Sequence, residues 1–296
     1  MRKIFITFIL GFTTLTYANV NAIVSILPQQ NFVKAIGGEK VNISLMVKPG
    51  NSPHTYEPKP SQMRDISKAD IYFSIGVEFE KAWLPKFMNQ NKKMKIANIS
   101  KGIKKIDMVK HSHGEKKHQD HDEHAHDNHG HDHEHESKDP HVWTTPKNVT
   151  IIAKNIYKYL IKIDKSNQEY YKQNLDNFIA HINDTDKKIK FLLQDLPKNT
   201  KFLVFHPSWG YFAKEYNLTQ VAIEIEGKSP KPKELTHLIE EAKEEKIQAI
   251  FTSPEFSDTI ANQLANELKI PVIKISPLNE NWSENLKTFA KALKNK

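Results

Sequence analysis

Fifteen histidines and no cysteine set the chemistry open to this chain of 296 residues. Eleven of the histidines fall in one stretch, HSHGEKKHQDHDEHAHDNHGHDHEHESKDPHVW, residues 111–143. Without thiolates, a metal site must be built from imidazole, carboxylate, backbone or water. In the stretch, His111, His113, His118, His121, His124, His126, His129, His131, His133 and His135 are interleaved with Asp and Glu. Neutral imidazoles bind metal. Residues 100–140, however, carry almost no large apolar side chains and no period, so nothing offsets the entropy cost of ordering them. The reading is a disordered insertion at about 107–138 that binds several ions weakly. It would gather scarce zinc for a tighter site or sense high zinc; the bland alternative is a polar spacer.

Three histidines stand apart. His54 lies in NSPHTYEP, His141 in DPHVW, and His206 directly follows the apolar run FLVF. In open parallel sheets, ligands bind beyond the carboxyl ends of the strands, where His54 and His206 fall. Taken singly, each reads as a loop histidine bonded to a carbonyl, much as His181 and His237 read as helix residues among charged neighbours. Taken together, they can converge on one cleft. Three imidazoles with a fourth position for water or a carboxylate suit Zn2+, and other borderline divalent ions bind such sets too. Asp139 and Glu57, close in sequence to His141 and His54, are candidates to orient the rings, or else a turn cap and a surface ion pair. An open three-histidine site also generates a reactive hydroxide, so a zinc hydrolase is the competing class. Against it, the chain has no HExxH helix and no motif pairing a general base with an oxyanion site.

The elements that must position these residues alternate. Strands are expected at 22–27, 41–47 and 71–75, with a helix at 28–36 and another capped by Ser61. A helix at 146–162 follows the insertion. The longest helical pattern covers 166–196, where Tyr171, Leu175, Phe178, Ile182, Ile189, Leu192 and Leu196 form one stripe. Strands then return at 202–205, 221–225, 249–252 and 272–275, with helices at 233–246 and 258–268. The expected class is α/β: two lobes, each with a mostly parallel sheet flanked by helices, joined by one long rigid helix. The lobes are read as 19–165 and 197–296.

Residues 1–18 show a basic start, an apolar run and a small-x-small end, the pattern of a cleaved secretory signal. Without cysteine there is neither a disulfide nor a lipid-modified thiol, so a free periplasmic protein is expected. The net charge of +8 comes from Lys scattered among acids, not from the concentrated basic stripe that nucleic-acid binding needs.

PGNSPHTYEPKPSQM, SKDPHVWTTP and FLVFHPSWGYFAKEY, in this order and spacing, resemble the signatures of the metal-binding proteins of zinc and manganese ABC importers. IEGKSPKPKEL and PEFS…IANQLANEL…ISPL are similar to that family's C-terminal half. The resemblance implies two lobes joined by a rigid helix, with the ion held between them by His54, His141 and His206. It implies a monomer, not an enzyme, that delivers metal to an inner-membrane permease driven by a cytoplasmic ATPase. Manganese members tend to carry a carboxylate where His206 stands, so zinc is favoured over Mn2+. ZnuA-type zinc members carry a histidine-rich loop just before DPHxW, as here. Where some members add an Asp, this chain has Ser276. That leaves the fourth ligand as water first, with Glu57 or Glu255 as alternatives. A metal-dependent adhesin or a zinc-storage protein is the alternative role.

Overall fold

A computed structural model describes residues 19–108, 138–224 and 230–294. The leader expected at 1–18 and the ten loop histidines, His111 to His135, lie outside these residues.

The chain opens with β1 (Val20–Val24), α1 (Leu27–Gly37), β2 (Val41–Leu45), α2 (Pro60–Lys68), β3 (Ile71–Ser74), α3 (Glu78–Gln90) and β4 (Lys95–Asn98). The four strands form a parallel sheet in the order β2-β1-β3-β4. Four-residue β3, IYFS, is buried throughout, as a strand covered on both faces must be. The edge strands β2 and β4 carry exposed positions. After α4 (Pro146–Ile163) and α5 (Gln168–Leu193), the pattern repeats as β5 (Thr200–Val204), α6 (Gly210–Glu215), β6 (Leu218–Ala222), α7 (Pro232–Glu244), β7 (Ile250–Thr252), α8 (Thr259–Leu268), β8 (Val272–Lys274) and α9 (Trp282–Lys294). The second sheet, β6-β5-β7-β8, is again parallel and repeats the strand order of the first.

Helix α5 joins the two halves. Its buried face, Tyr171, Leu175, Phe178, Ile182 and Ile189, follows the expected stripe, which ends on a buried Leu193 with Leu192 and Leu196 only partly covered. The helix packs on α1 and α4 of the first half and on α9 of the second. Asn174 donates to the Ile36 carbonyl (3.0 Å), and the Thr185 and Ser283 hydroxyls meet at 2.6 Å. One apolar core therefore runs from Val20 to Ala290 through both lobes, and a smaller one sits around Leu203, Ile223, Leu238 and Leu264.

Several local expectations change. Helix α2 starts at Pro60 with Lys59 as its N-cap, which places Ser61 inside the first turn; proline's fixed φ suits that first helical position. The strand expected at 221–225 is β6, three residues earlier, and 225–229 lie outside the described residues. Residues 100–108 are not structureless: Ile103 is buried, Ile106 packs on the core, and Asp107 bridges Lys138 as an antiparallel pair closed by an ion pair. α3 and β4 carry no clear periodicity, since α3 holds an internal Pro85 and β4 buries only Ala97.

Candidate metal centre

The second sheet brings a functional side chain to the end of each of its strands. Past β5 and β6 the parallel ladder continues, with Ile223 N–H donating to the Val204 carbonyl (2.8 Å) and Glu224 N–H to that of Phe205 (3.1 Å). This sets Glu224 beside His206, and the His206 Nδ1 lies 2.7 Å from Glu224 Oε1. On the other side of β5, Phe205 N–H donates to the Phe251 carbonyl (2.8 Å), aligning the β7 end that carries Glu255 and Phe256. The Phe256 ring stacks on His206 at 4.6 Å. Ser276 follows β8, and its hydroxyl donates to Glu255 Oε1 (2.7 Å).

The first lobe supplies the other two histidines. Gln62 on α2 braces the ends of the loop after β2: its amide donates to the Leu45 carbonyl (3.0 Å), and its oxygen accepts from Lys59 N–H (2.9 Å). The same oxygen accepts from the Tyr56 hydroxyl (2.8 Å). His54 sits on this loop, its Nδ1 3.6 Å from Glu78 in the first turn of α3. His141 precedes a single 3-10 turn, Val142–Thr144. Asp139 Oδ1 accepts from both the His141 backbone N–H and its Nδ1, each at 2.8 Å. A carboxylate oxygen accepts, so the neutral tautomer that donates through Nδ1 leaves Nε2 of His141 and His206 as the ligating atom.

The three rings converge. Ring centroids lie 5.0 Å apart for His54–His206 and 5.1 Å for His141–His206. One ligating atom from each histidine lies within 4.8 Å of the others. His206 is 8% exposed, yet its Nε2 is enclosed with no hydrogen-bond partner. A buried acceptor without a donor costs free energy, so this atom is built for a ligand. Burial foremost, with repulsion from the neighbouring imidazoles against attraction to Glu78, holds the His54 pKa below 6.5. A neutral ring at neutral pH is the form that binds metal. The cavity has a volume of about 20 Å3 and is lined by residues that include Glu78, Trp143, Glu255 and Pro277.

The sequence-based partners divide. Glu255 lines the cavity and Asp139 stands behind it on the His141 ring, whereas Glu57 is exposed and does not line it. The loop turns Glu57 away and Glu78 takes its place beside His54. Glu78 and Glu224 were missed because chain proximity does not reveal them. The one signal for Glu224 was a lone carboxylate at the end of an apolar strand run.

A family model described as Zinc-uptake complex component A periplasmic matches residues 23–296. The chain belongs to this family. Its members are the metal-binding components of ABC importers, so metal capture for import is the function class, and a membrane permease and an ATPase are the implied partners. The High-affinity zinc uptake system protein ZnuA of Bacillus subtilis is 34% identical over 254 residues, covering 84% of this chain and 75% of that one. The Manganese ABC transporter substrate-binding lipoprotein PsaA of Streptococcus anginosus is 27% identical, covering 82% and 74%. A crystal structure of ZnuA superposes with a TM-score of 0.82 at 37% identity, covering 94% and 98%. The expected two-lobed α/β fold is therefore that of the family. No helix among the described residues is long and apolar enough to cross a membrane.

Proposed function

We propose that this chain captures zinc in the periplasm and hands it to a membrane permease, holding one ion between lobes 19–165 and 197–296 with His54, His141 and His206. One observation carries the reading: three converging imidazoles, one with an enclosed and unpartnered Nε2, each facing a carboxylate on its Nδ1 side. Carboxylates behind ligating histidines fix ring orientation and raise ligand basicity. A set of nitrogen ligands favours zinc over manganese, which prefers oxygen. A cavity of about 20 Å3 is far too small for an organic substrate, which supports carriage of an ion over hydrolysis. Some relatives are lipoproteins. A lipid-modified cysteine is not available in this sequence, which supports release as a free protein once the leader at 1–18 is removed. The loop histidines serve as a weak auxiliary store.

The test is a competitive zinc titration of the mature protein lacking 111–138, with manganese alongside. One tight zinc site that survives loop removal and vanishes in His206→Ala places capture in the cleft. Loss of tight binding with the loop overturns the reading.

A further inference from the structure

The two sheets share a strand order that reverses between β1 and β3 in the first and between β5 and β7 in the second. Ligand crevices form at such reversals. In the first lobe the crevice is plugged. Glu80, 3% exposed, reaches back from α3 and accepts from the backbone N–H groups of Ile75 (3.0 Å) and Gly76 (2.7 Å) and from the Ser25 hydroxyl. Both its oxygens are used. In the second lobe the corresponding crevice holds His206 from the end of β5 and Glu255 from the end of β7. Here the carboxylate is only half satisfied: Oε1 accepts from Ser276, which also accepts from Leu278 N–H (3.0 Å), while Oε2 is enclosed with no partner.

An enclosed carboxylate oxygen lacking a donor is costly. Glu255 lines the cavity of the three histidines, but it is absent from the group of ligating atoms lying within 4.8 Å of one another. Three imidazoles leave one tetrahedral position open. A carboxylate that lines the same cavity, stands outside that ligating group and is short of a donor matches a metal-bound water, which has two protons to give.

Resting on the three-histidine reading above, we infer that Glu255 is a positioning residue for the fourth ligand: it anchors a metal-bound water through Oε2, with Ser276 fixing the carboxylate from behind. The ion then carries three nitrogens and one oxygen. The glutamate's negative charge also disfavours any anion that would replace the water. Ser276 thus supports a carboxylate instead of contributing a ligand itself.

The test uses the full chain with Glu255→Gln, Glu255→Ala and Ser276→Ala. Zinc affinity is measured by chelator competition, and the visible absorption of the cobalt-loaded proteins is followed during azide titration. Glu255→Gln and Glu255→Ala should weaken zinc roughly 10- to 100-fold, the usual effect of removing a group that supports a ligand. Ser276→Ala should weaken it less. The cobalt spectrum should stay that of a four-coordinate ion in every variant. Azide should perturb it in the Glu255 variants and leave the parent unchanged. Zinc affinity in Glu255→Gln equal to the parent's overturns the inference. So does loss of the four-coordinate spectrum in that variant, which would make Glu255 a direct ligand. A parent that binds no zinc tightly, or a His206→Ala variant that binds as well as the parent, instead defeats the three-histidine reading.

Discussion

His206 and His141 are held by carboxylates that are themselves buried, Glu224 at 7% and Asp139 at 1% exposure, whereas Glu78 stands 3.6 Å from a more open His54. A carboxylate enclosed with its histidine has no water to substitute for it, so the three supports should not be equal. Asp139→Asn and Glu224→Gln should each weaken zinc by roughly 10- to 100-fold, with Glu78→Gln nearer the lower end. Chelator competition on the three variants checks the order, and an equal effect from all three would show that burial does not set the strength of the support. The histidines were legible in the sequence because each sits in a proline-flanked loop, His206 directly after a strand-like run and His54 in the loop that follows another. Their carboxylates were not, Asp139 apart. Glu224 reaches His206 from 18 residues away because parallel register aligns two strand ends, and no local pattern encodes that. Glu57 drew attention only through being near His54 in the chain.

At the scale of elements, the question is how a histidine proposed as a ligand on one lobe is fixed by the other. Helix α6 answers for His141. Tyr211 on α6 donates its hydroxyl proton to the Asp139 carbonyl (2.9 Å) and accepts from Ile106 N–H (3.3 Å). One residue earlier, a Cβ on Gly210 would lie 2.7 Å from Asp139 Oδ2 and 3.3 Å from Ile106 Cδ1. Asp139 is buried and bonded to His141, so it has no free direction in which to retreat. Gly210→Ala should therefore destabilise the fold by about 1–3 kcal/mol and weaken zinc as well, although Gly210 touches no ligand. Denaturant unfolding and zinc titration on the same variant check this; unchanged zinc affinity would mean that α6 does not steer Asp139. Element boundaries were read well where the period was strong, as in α5. No element was read at α3 or β4, where a proline inside a helix and an edge strand with one buried side chain leave no period to read.

For the whole molecule, the lobes are bound together more tightly than the word hinge suggests. The Trp143 indole donates to the Pro277 carbonyl and the Trp282 indole to that of Trp143, both at 2.8 Å, while Phe32 meets Trp282 edge-on at 5.6 Å. With α5 packed on helices of both lobes and one apolar core running through, zinc loading should leave the radius of gyration unchanged in solution scattering. A large closure would show that this core yields. Global stability should also carry a pH signature from the plugged crevice. Burial raises the Glu80 pKa from 4.5 to about 7, against the opposing pull of hydrogen bonds from Ser25, Ile75 and Gly76. Between those two values the folded protein keeps a proton that the unfolded chain has released, so the contribution of Glu80 to stability falls as pH rises from about 4.5 to 7, by something on the order of 3 kcal/mol. Glu80→Gln cannot ionise and lacks this loss. The test is urea unfolding of metal-free parent and variant at intervals from pH 5 to 8. The shared titration of the histidines cancels in the comparison. The parent should lose ground to the variant as pH rises to about 7 and level off above it. A difference that stays constant would mean that the buried carboxylate ionises as easily folded as unfolded, and that its three hydrogen-bond donors outweigh its burial.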